Sequence, residues 1–513
     1  MARYGYKLTN KNILDNIRSP RMYEFNLARN MALLTNEPAV IRYFYQIEAP
    51  KLMGDQWLAL EVKDSFMAQH LDGQAFSYFG LCPMIVQGKV NLLSANGFVC
   101  ESDNKDIDKV LNRCKEDAKL QELFATGVFL ESGLGDFLYR VSYNPRVSDK
   151  PLIDVVEPQN FEVNYKNGAI ISYVIKRTSE DDNKLEVREI YFRNENDNGI
   201  YMTYRFYYDG KYVAPNDESL MKWCKDTFGT EINTKDVLLP FDDFPLVFKK
   251  INVIINISRG ERGVPDIQGL ASIEDALTET LSDLIDAIRK GGLKEYISDE
   301  LIPQDEQGRQ LKINSFNKRI ITTKGSSSPV NSEELFKVVQ GDVKWEAYVK
   351  TIQNLMSVAI NKAGMSPTTI GLTGLESINS SAESQDAREK TSLRTRARCL
   401  MSWTITLREL LNKYLQMLDY INGDSILDYS ELIKIKFNEY SSPSTESITE
   451  VLVNQVASGL KSHKQAIKEL NKDYDDEDAE KELMDIYVEQ GKPVLQGGLS
   501  SAENMENTTP NQD

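Results

Sequence analysis

The sequence is poor in the residues that disulfides and zinc sites need. Its 513 residues include five cysteines and two histidines, and no C-x-x-C pair occurs. This scarcity argues against a disulfide framework and a Cys/His zinc site, and it predicts folding in a reducing compartment. No apolar run reaches the roughly 18 residues that a membrane-spanning helix needs. The first residues also lack the apolar segment of a signal peptide.

Known catalytic signatures are missing as well. There is no G-x-x-x-x-G-K-[ST] phosphate loop and no G-x-S-x-G nucleophile motif. Gly133-Leu-Gly135 lacks the third glycine of a dinucleotide fingerprint, and its pattern is typical of a turn. Asp242-Asp243 could act as paired carboxylates, but no companion acid or histidine is adjacent, which favours a solvated turn. We therefore expect no enzyme activity, no cofactor and no metal site.

Basic residues are fewer than acidic residues. The chain has 77 acidic and 60 basic residues, a net charge of −17. A protein that binds nucleic acid over its whole surface needs excess lysine and arginine to replace counterions, so the acidic balance argues against that class. A protein past which nucleic acid slides remains compatible with this charge. The 41% hydrophobic and 27% charged residues are ordinary for a folded chain.

The distribution of sequence patterns predicts an α+β protein that is mainly helical. A helix start at Ser19-Pro20 and a helix over Ile107–Phe124 are predicted in the first part. Residues 137–213 alternate β-prone runs with tight turns, which predicts an antiparallel meander. The turn dipeptides are Asn167-Gly168, Asp182-Asn183, Asn198-Gly199 and Asp209-Gly210.

Two long amphipathic helices are predicted next, over Pro265–Lys290 and Asp342–Ala363. Between them lies an insert, residues 293–341, with a strand candidate at Arg319–Thr323. The two helices could pair as an antiparallel hairpin with the insert at its tip. The first helix carries an acidic stripe, which is either a solvated face or a lining that repels anions.

A loop rich in glycine, serine and threonine follows at Gly364–Ser380, and then a very long helix over Ser381–Ile421. We expect this helix, about 61 Å long if straight, to bend around Met401–Thr406. It carries basic residues that could bind phosphate or pair with acids on the helix or on another subunit. These are Arg388, Lys390, Arg394, Arg396 and Arg398.

Short helices are predicted over residues 447–490. Ser462-x-x-Gln465 is a capping box, which predicts a helix start and places His463 on a helix surface. Asp473–Glu489 is strongly acidic, and the polar tail from Gln496 is predicted to be disordered.

The order of these parts resembles the portal protein of tailed bacteriophages, of the long-tailed type that infects Gram-positive hosts. Ser132-Gly-Leu-Gly-Asp-Phe-Leu-Tyr-Arg-Val-Ser-Tyr143 and Ile153–Phe161 are similar to the family's wing segment. Arg262-Gly-Val-Pro-Asp-Ile-Gln-Gly-Leu270 resembles the approach to its first stem helix, and Asn379–Lys390 the segment after its tunnel loop. Gly459–Ser462 and the acidic Asp475–Glu489 look like its crown.

The resemblance implies the portal fold of wing, stem, clip and crown, assembled as a ring around a central channel. The implied segments are a wing of helices and antiparallel meander at 1–257, stem helix 258–290, clip 291–341, stem helix 342–364, tunnel loop 365–381, long kinked wing helix 382–421, crown 422–495 and disordered tail 496–513.

The resemblance also implies two sets of functional residues. The DNA-facing tunnel loop would contain Pro367, Thr368, Thr369, Gly371, Leu372, Thr373, Gly374, Glu376 and Asn379. The stem residues that could line the channel are Glu274, Glu279, Asp283 and Asp286. This loop has no lysine or arginine to bind phosphate, so it would contact DNA sterically or by neutral hydrogen bonds. It could also merely link two helices.

The implied role is passage of the genome through one vertex of the virion capsid, during packaging, retention and ejection, after assembly in the host cytoplasm. The implied assembly is a ring of about twelve copies, or about thirteen for the isolated protein. Implied partners are the terminase large subunit, the head-completion adaptor, scaffold, major capsid protein and double-stranded DNA without sequence specificity, with no membrane. Two alternatives stay open: another head–tail connector or minor capsid protein, and an enzyme of unrecognised type.

Overall fold

The computed structural model divides the chain into two compact units, with the boundary after Asn438. Each unit is described by itself. The residues that the structure describes are 20–54, 61–69, 76–178, 184–194, 197–213, 235–251, 262–291, 294–298, 320–323, 336–339, 343–370, 382–438, 445–471 and 476–489.

The described part of the first unit begins with a group of helices. They are α1 Pro20–Leu34, α2 Pro38–Tyr43, α3 Ala49–Met53, α4 Phe66–Gln69 and α5 Leu81–Ser94. A π-helical turn, Phe44–Glu48, joins α2 to α3, and a 3-10 turn, Glu61–Asp64, precedes α4. The start of α1 at Pro20 confirms the predicted helix start, where a proline has no amide hydrogen to leave unpaired.

Strand β1, Phe98–Glu101, precedes a pair of helices, α6 Lys105–Asp117 and α7 Leu120–Leu134. The single helix predicted over Ile107–Phe124 is therefore wrong. The chain breaks at Lys119, whose φ of 49° lies in the left-handed region. The apolar spacing runs on across the break because Leu111 and Phe124 enter the same core.

Nine strands follow in the residues that the structure describes, and the antiparallel ones within 137–213 confirm the predicted meander. The nine strands are β2 Asp136–Ser142, β3 Leu152–Val156, β4 Phe161–Lys166, β5 Ala169–Thr178, β6 Leu185–Arg193, β7 Ile200–Tyr208, β8 Lys211–Val213, β9 Val237–Leu239 and β10 Leu246–Lys250. The predicted turn Asp182-Asn183 lies outside the described residues. Strands β4 to β8 form consecutive antiparallel pairs, with β9 added beside β7. Strand β2 lies between β10 and β3 in a second antiparallel sheet.

The next two helices are long: α8, Ala271–Gly291, and α9, Trp345–Lys362. The residues described between them form three short strands. These are β11 Lys294–Ser298, β12 Ile320–Thr323 and β13 Phe336–Val339. Strand β11 is central, parallel to β12 and antiparallel to β13. The strand predicted at Arg319–Thr323 is thus confirmed for its described residues. Helix α8 begins six residues later than predicted, because residues 266–270 form tight turns.

Helix α10, Ala382–Asn422, is one continuous helix of 41 residues, and β14, Lys434–Phe437, returns to pair with β1. The bend predicted around Met401–Thr406 stays a prediction. Trp403 on α10 is fully buried at the centre of the largest core. Its ring lies 4.8 Å from the Phe124 ring and 5.9 Å from the Phe137 ring, between centroids. This core joins α10 to α7 and β2.

The described residues of the second unit form three helices, α11 Thr445–Ala457, α12 His463–Leu470 and α13 Asp476–Glu489. The amide of Gln465 donates to the Ser462 hydroxyl over 3.2 Å, which confirms the predicted cap. His463 is exposed. The tail from Gln496 lies outside the described residues. In the described parts of both units, no helix is both long and apolar enough to cross a membrane.

Candidate functional site

Helices α8 and α9 pack against each other in antiparallel orientation. Leu277 on α8 is buried in one apolar cluster with Met356 and Ile360 on α9. The Lys362 Nζ, at the end of α9, donates to the Gly269 carbonyl before α8 over 3.2 Å. Because the end of one helix meets the start of the other, the hairpin predicted from the sequence is confirmed for these residues.

The first candidate channel residue, Glu274, does not lie on an open face of the protomer. It is fully buried. Its carboxylate accepts hydrogen bonds from the amides of Gly80, Leu81 and Cys82, over 2.9, 3.2 and 2.7 Å. Those amides begin α5 and have no acceptor within that helix, so Glu274 caps α5 from another element. The prediction that Glu274 lines the channel is wrong.

The electrostatics of Glu274 reflect this position. Burial raises the pKa of its carboxyl, and the bonds from the three α5 amides oppose that rise. Thr278 and Ser282 continue the same face at four-residue spacing and accept from the amides of Phe79 and Ser77, over 3.4 and 3.0 Å. This face of α8 therefore binds the backbone of residues 77–82.

Glu274→Gln should lower the free energy of unfolding by about 1–3 kcal/mol. Glutamine keeps the shape but places an NH₂ where a carboxylate oxygen accepts, which leaves a buried amide without an acceptor. Urea unfolding measures the change. Glu279→Gln is the matched control, because Glu279 is exposed on the same helix, and it should shift stability by less than about 0.5 kcal/mol. Equal losses in the two variants would contradict the capping role.

The other three candidates remain accessible. Glu279 and Asp283 are exposed, and Asp286 is partly exposed with the Arg289 guanidinium 3.7 Å away. Partial burial raises the pKa of Glu279, and repulsion from Asp275 and Asp283 adds to the rise. Their spacing of four and three residues places them along one side of α8. Their role in a channel stays a prediction.

The predicted tunnel loop begins with an anchored turn. Pro367–Ile370 forms one 3-10 turn, and the Thr369 hydroxyl lies 2.8 Å from the Ser392 hydroxyl on α10. Ser366 is buried, and its hydroxyl lies 3.0 Å from the Ser392 hydroxyl. The Ser366 amide also donates to the Ser392 hydroxyl, over 2.8 Å. Thr368 lies 3.2 Å from the Ser366 hydroxyl.

This geometry fixes the start of the loop on α10. The hydroxyl of Thr369 is thus engaged within the protomer. The remaining predicted loop residues lie outside the described residues, and their contact with DNA stays a prediction. They are Gly371, Leu372, Thr373, Gly374, Glu376 and Asn379.

The basic residues predicted on α10 differ in their contacts. Arg396 donates to the carbonyls of Leu92 and Asn438, over 3.1 and 2.7 Å, so it has a structural role. Lys390, Arg394 and Arg398 are exposed. The side chain of Arg388 lies outside what the structure describes. Exposed basic side chains on α10 are available to phosphate or to acids of a partner, and both interpretations stay open.

Sequence reasoning missed the charged pairs that hold the approach to α8. Arg262 donates to both carboxylate oxygens of Asp136, over 2.9 and 2.8 Å, and Asp136 is fully buried. Asp266 accepts from Lys89 and from the Ser132 hydroxyl. The two stretches quoted for the family resemblance, 132–143 and 262–270, thus bind each other. No pattern in the sequence predicts these ion pairs, because the partners are more than a hundred residues apart in the chain.

The described parts of the chain contain no group of three or more His, Cys, Asp or Glu side chains that is placed to hold a metal ion. Burial raises the pKa of Cys100 to about 11, which disfavours a reactive thiolate. Asp243 accepts from the ammonium of Lys413 over 3.1 Å, a structural ion pair rather than part of a carboxylate pair.

Comparison with known proteins gives no family. No family model matches the chain, and no curated protein matches it. Solved structures of gene transfer agent particles show weak similarity. A chain from the neck of an empty particle, computed with C6 symmetry, is 12% identical, with 78% of this chain and 91% of that chain covered and a TM-score of 0.42.

Two further chains are similar to the same degree. One is from the virion of the native gene transfer agent particle: 12% identity, 76% of this chain, 89% of that chain and a TM-score of 0.40. The other is from the native neck computed with C12 symmetry: 11% identity, 77% of this chain, 91% of that chain and a TM-score of 0.38. Similarities of this size do not establish a shared function.

Proposed function

We propose that this chain is a portal subunit, of which about twelve copies form a ring that conducts double-stranded DNA through one vertex of a phage capsid. The observation that carries the proposal is the antiparallel pair of α8 and α9 with a small sheet between them. Strand β11 starts beside the end of β13, with Lys294 opposite Val339. The chain therefore leaves α8 and returns to α9 side by side, as a stem and clip require.

Exposed apolar side chains on the long helices support assembly into a ring. Met401 and Ile405 lie one turn apart on α10 and are 73% and 65% exposed. Trp345 on α9 is 57% exposed, and Ile288 on α8 is exposed as well. Contiguous exposed apolar groups, such as the neighbouring pair Met401 and Ile405, are typical of surfaces that bind other proteins. A closed ring of identical subunits needs such surfaces on two sides of each copy.

Acidic charge supports passage of DNA. Each copy carries −17, and the accessible acids of α8 are Glu279, Asp283 and Asp286. Acids that face a channel repel backbone phosphates, so DNA slides without the lasting contacts that lysine or arginine would make. Hydroxyls and glycines in residues 367–379 suit a loop that approaches DNA without a fixed positive charge.

In this proposal the β11–β13 insert binds the terminase large subunit during packaging and the head-completion adaptor afterwards. Scaffold and major capsid protein contact the outside of the ring. The main alternative is another head–tail connector or minor capsid protein. The stem-like helix pair with its insert favours the portal, because a connector that only seals the neck does not need it.

Electron microscopy and native mass spectrometry of the purified protein test the proposal. We expect closed rings of about twelve or thirteen copies with a hole wider than duplex DNA. A compact dimer with one deep cleft would contradict it and favour an enzyme. Some rings assemble only with capsid partners. If the purified protein is monomeric, the same measurements are therefore repeated in the presence of scaffold and major capsid protein. A chain that stays monomeric there also contradicts the proposal.

Replacing Met401 and Ile405 together by glutamate should reduce the ring fraction at least tenfold while the protomer stays folded. Both side chains are exposed in the protomer, so their loss removes contacts only between copies. Native mass spectrometry measures the ring fraction, and circular dichroism the fold. A double glutamate replacement at Val147 and Leu238, which are 69% and 57% exposed, is the control. Undiminished rings in the Met401/Ile405 variant would exclude this face from the subunit contact.

A further inference from the structure

A polar cavity of about 420 Å³ opens at the start of α8. It is lined by side chains from α1, from the segment before α4 and from the first turn of α8. The most unusual of them is Arg29, which is only 7% exposed. The cavity lining includes neither the exposed apolar residues of α10 nor the accessible acids Glu279, Asp283 and Asp286.

Arg29 is a buried cation that has no anionic partner among the described residues. Its Nη2 donates to the Asn30 side-chain oxygen over 3.3 Å, and its guanidinium lies 5.7 Å from the centroid of the Phe25 ring. Its Nε is buried without a hydrogen-bond partner. None of the carboxylates in the described residues forms an ion pair with it. A buried charge left in this state is strongly unfavourable, so the site is suited to receive a counter-ion.

The first turn of α8 adds a second source of positive potential at the same cavity. Its first helical hydrogen bond runs from the Glu274 amide to the Leu270 carbonyl, over 2.9 Å. The earlier amides, including those of Ala271 and Ser272, therefore have no acceptor in the helix. The helix is 21 residues long, so its N-terminus carries a substantial partial positive charge that favours anions.

The two acids that line the cavity are already engaged. Asp275 accepts from the amides of Phe66 and Met67, both over 2.9 Å. Asp64 accepts from the Gln69 side-chain amide over 3.2 Å and is exposed. Neither acid forms an ion pair with Arg29, but both keep a negative charge that opposes an anion, and Gln268 adds a buried side-chain oxygen without a hydrogen-bond partner. The groups in the lining that can bind an anion are the Arg29 guanidinium, the α8 amides and the serine hydroxyls.

We propose that this cavity binds an oxyanion, with Arg29 as its counter-ion and the α8 amides and the hydroxyls of Ser65 and Ser272 as donors. The oxyanion is either a dissolved anion of the phosphate type or a carboxylate from a second copy of this chain. The binding groups all belong to a single protomer. Only the second source, a carboxylate of another copy, rests on the assembly in the proposed function.

Isothermal titration and thermal unfolding with inorganic phosphate test the site. Wild type should bind one phosphate per chain, and Arg29→Met should bind it at least tenfold more weakly. In buffer without phosphate, Arg29→Met should melt at or above the wild-type temperature, because the unpaired buried charge is gone. Phosphate should reverse that order by raising the melting temperature of wild type alone. Arg113→Met, at an exposed arginine of α6, is the control and should bind like wild type.

Two further measurements separate the sources of the oxyanion. Phosphate binding that persists in the assembled protein identifies a dissolved anion, whereas binding that disappears on assembly identifies a carboxylate of the neighbouring copy. Arg29→Lys keeps the charge and should retain part of the binding, even if the methionine variant folds poorly. Equal phosphate stabilisation of wild type, Arg29→Met and Arg29→Lys would overturn the proposal.

Discussion

Gly263→Ala should abolish the stable fold of the first unit. A Cβ at residue 263 would lie 1.8 Å from the carbonyl oxygen of Gly135 and 2.5 Å from its carbonyl carbon. Both atoms belong to the backbone, so no side-chain rotation can relieve the overlap. Gly135 cannot give way easily, because its φ of 101° lies in the left-handed region and its own Cβ position is 2.8 Å from the Gly263 oxygen.

The contact between these glycines aligns a set of buried bonds. The Gly135 carbonyl accepts from the Ile251 amide over 3.0 Å, and the Gly263 amide donates to the Asp136 carboxylate over 2.7 Å. The same carboxylate holds Arg262. Separating the two segments would leave a buried carboxylate and guanidinium without partners. We therefore expect a loss of more than about 4 kcal/mol, in the range seen only for disrupted cores and buried ion pairs.

Urea unfolding and the yield of folded protein measure this loss. Gly269→Ala is the matched control six residues away, since a Cβ there meets only the Lys362 Nζ at 3.8 Å. It should stay within about 1 kcal/mol of wild type. A Gly263→Ala protein with the wild-type midpoint would show that the two segments do not approach as described.

Local sequence signals were enough to predict the meander. Asn167-Gly168 and Asp209-Gly210 adopt positive φ at both positions, which a tight hairpin between adjacent strands requires. Strand β7, Ile200–Tyr208, occupies the whole run between the predicted turns Asn198-Gly199 and Asp209-Gly210. The hairpin of α8 and α9 was also predictable, because a long apolar stripe on each helix needs a partner.

The functional faces of α8 were not predictable from the same signals. Glu274 and Glu279 have the same side chain on one acidic helix, yet one caps α5 and the other is exposed. The difference depends on which distant segment packs there, and periodicity carries no such information. The helix break at Lys119 could not be predicted for a related reason. Neither glycine nor proline occurs there, and tertiary packing decides the local backbone conformation.

The proposed channel is tested most directly by reversing the accessible charge of α8. Replacing Glu279, Asp283 and Asp286 together by lysine should leave rings intact but reduce packaged DNA at least tenfold. The change removes three negative and adds three positive charges, so the net charge rises by about 6 per copy, or by about 72 in a ring of about twelve. Lysines on a channel wall would release counterions from the passing phosphates and hold the DNA in place. Nuclease-protected DNA per capsid measures the effect.

The same mechanism predicts how the defect should respond to salt and to position. Because lysine–phosphate contacts weaken steeply with ionic strength, packaging in vitro by the triple variant should recover as salt rises. A triple lysine variant at Asp106, Glu116 and Glu122, exposed acids of α6 and α7, adds equal charge and should package normally. Normal packaging by the α8 variant would remove these acids from the channel. A salt-independent defect would mean that the variant impairs terminase docking instead of sliding.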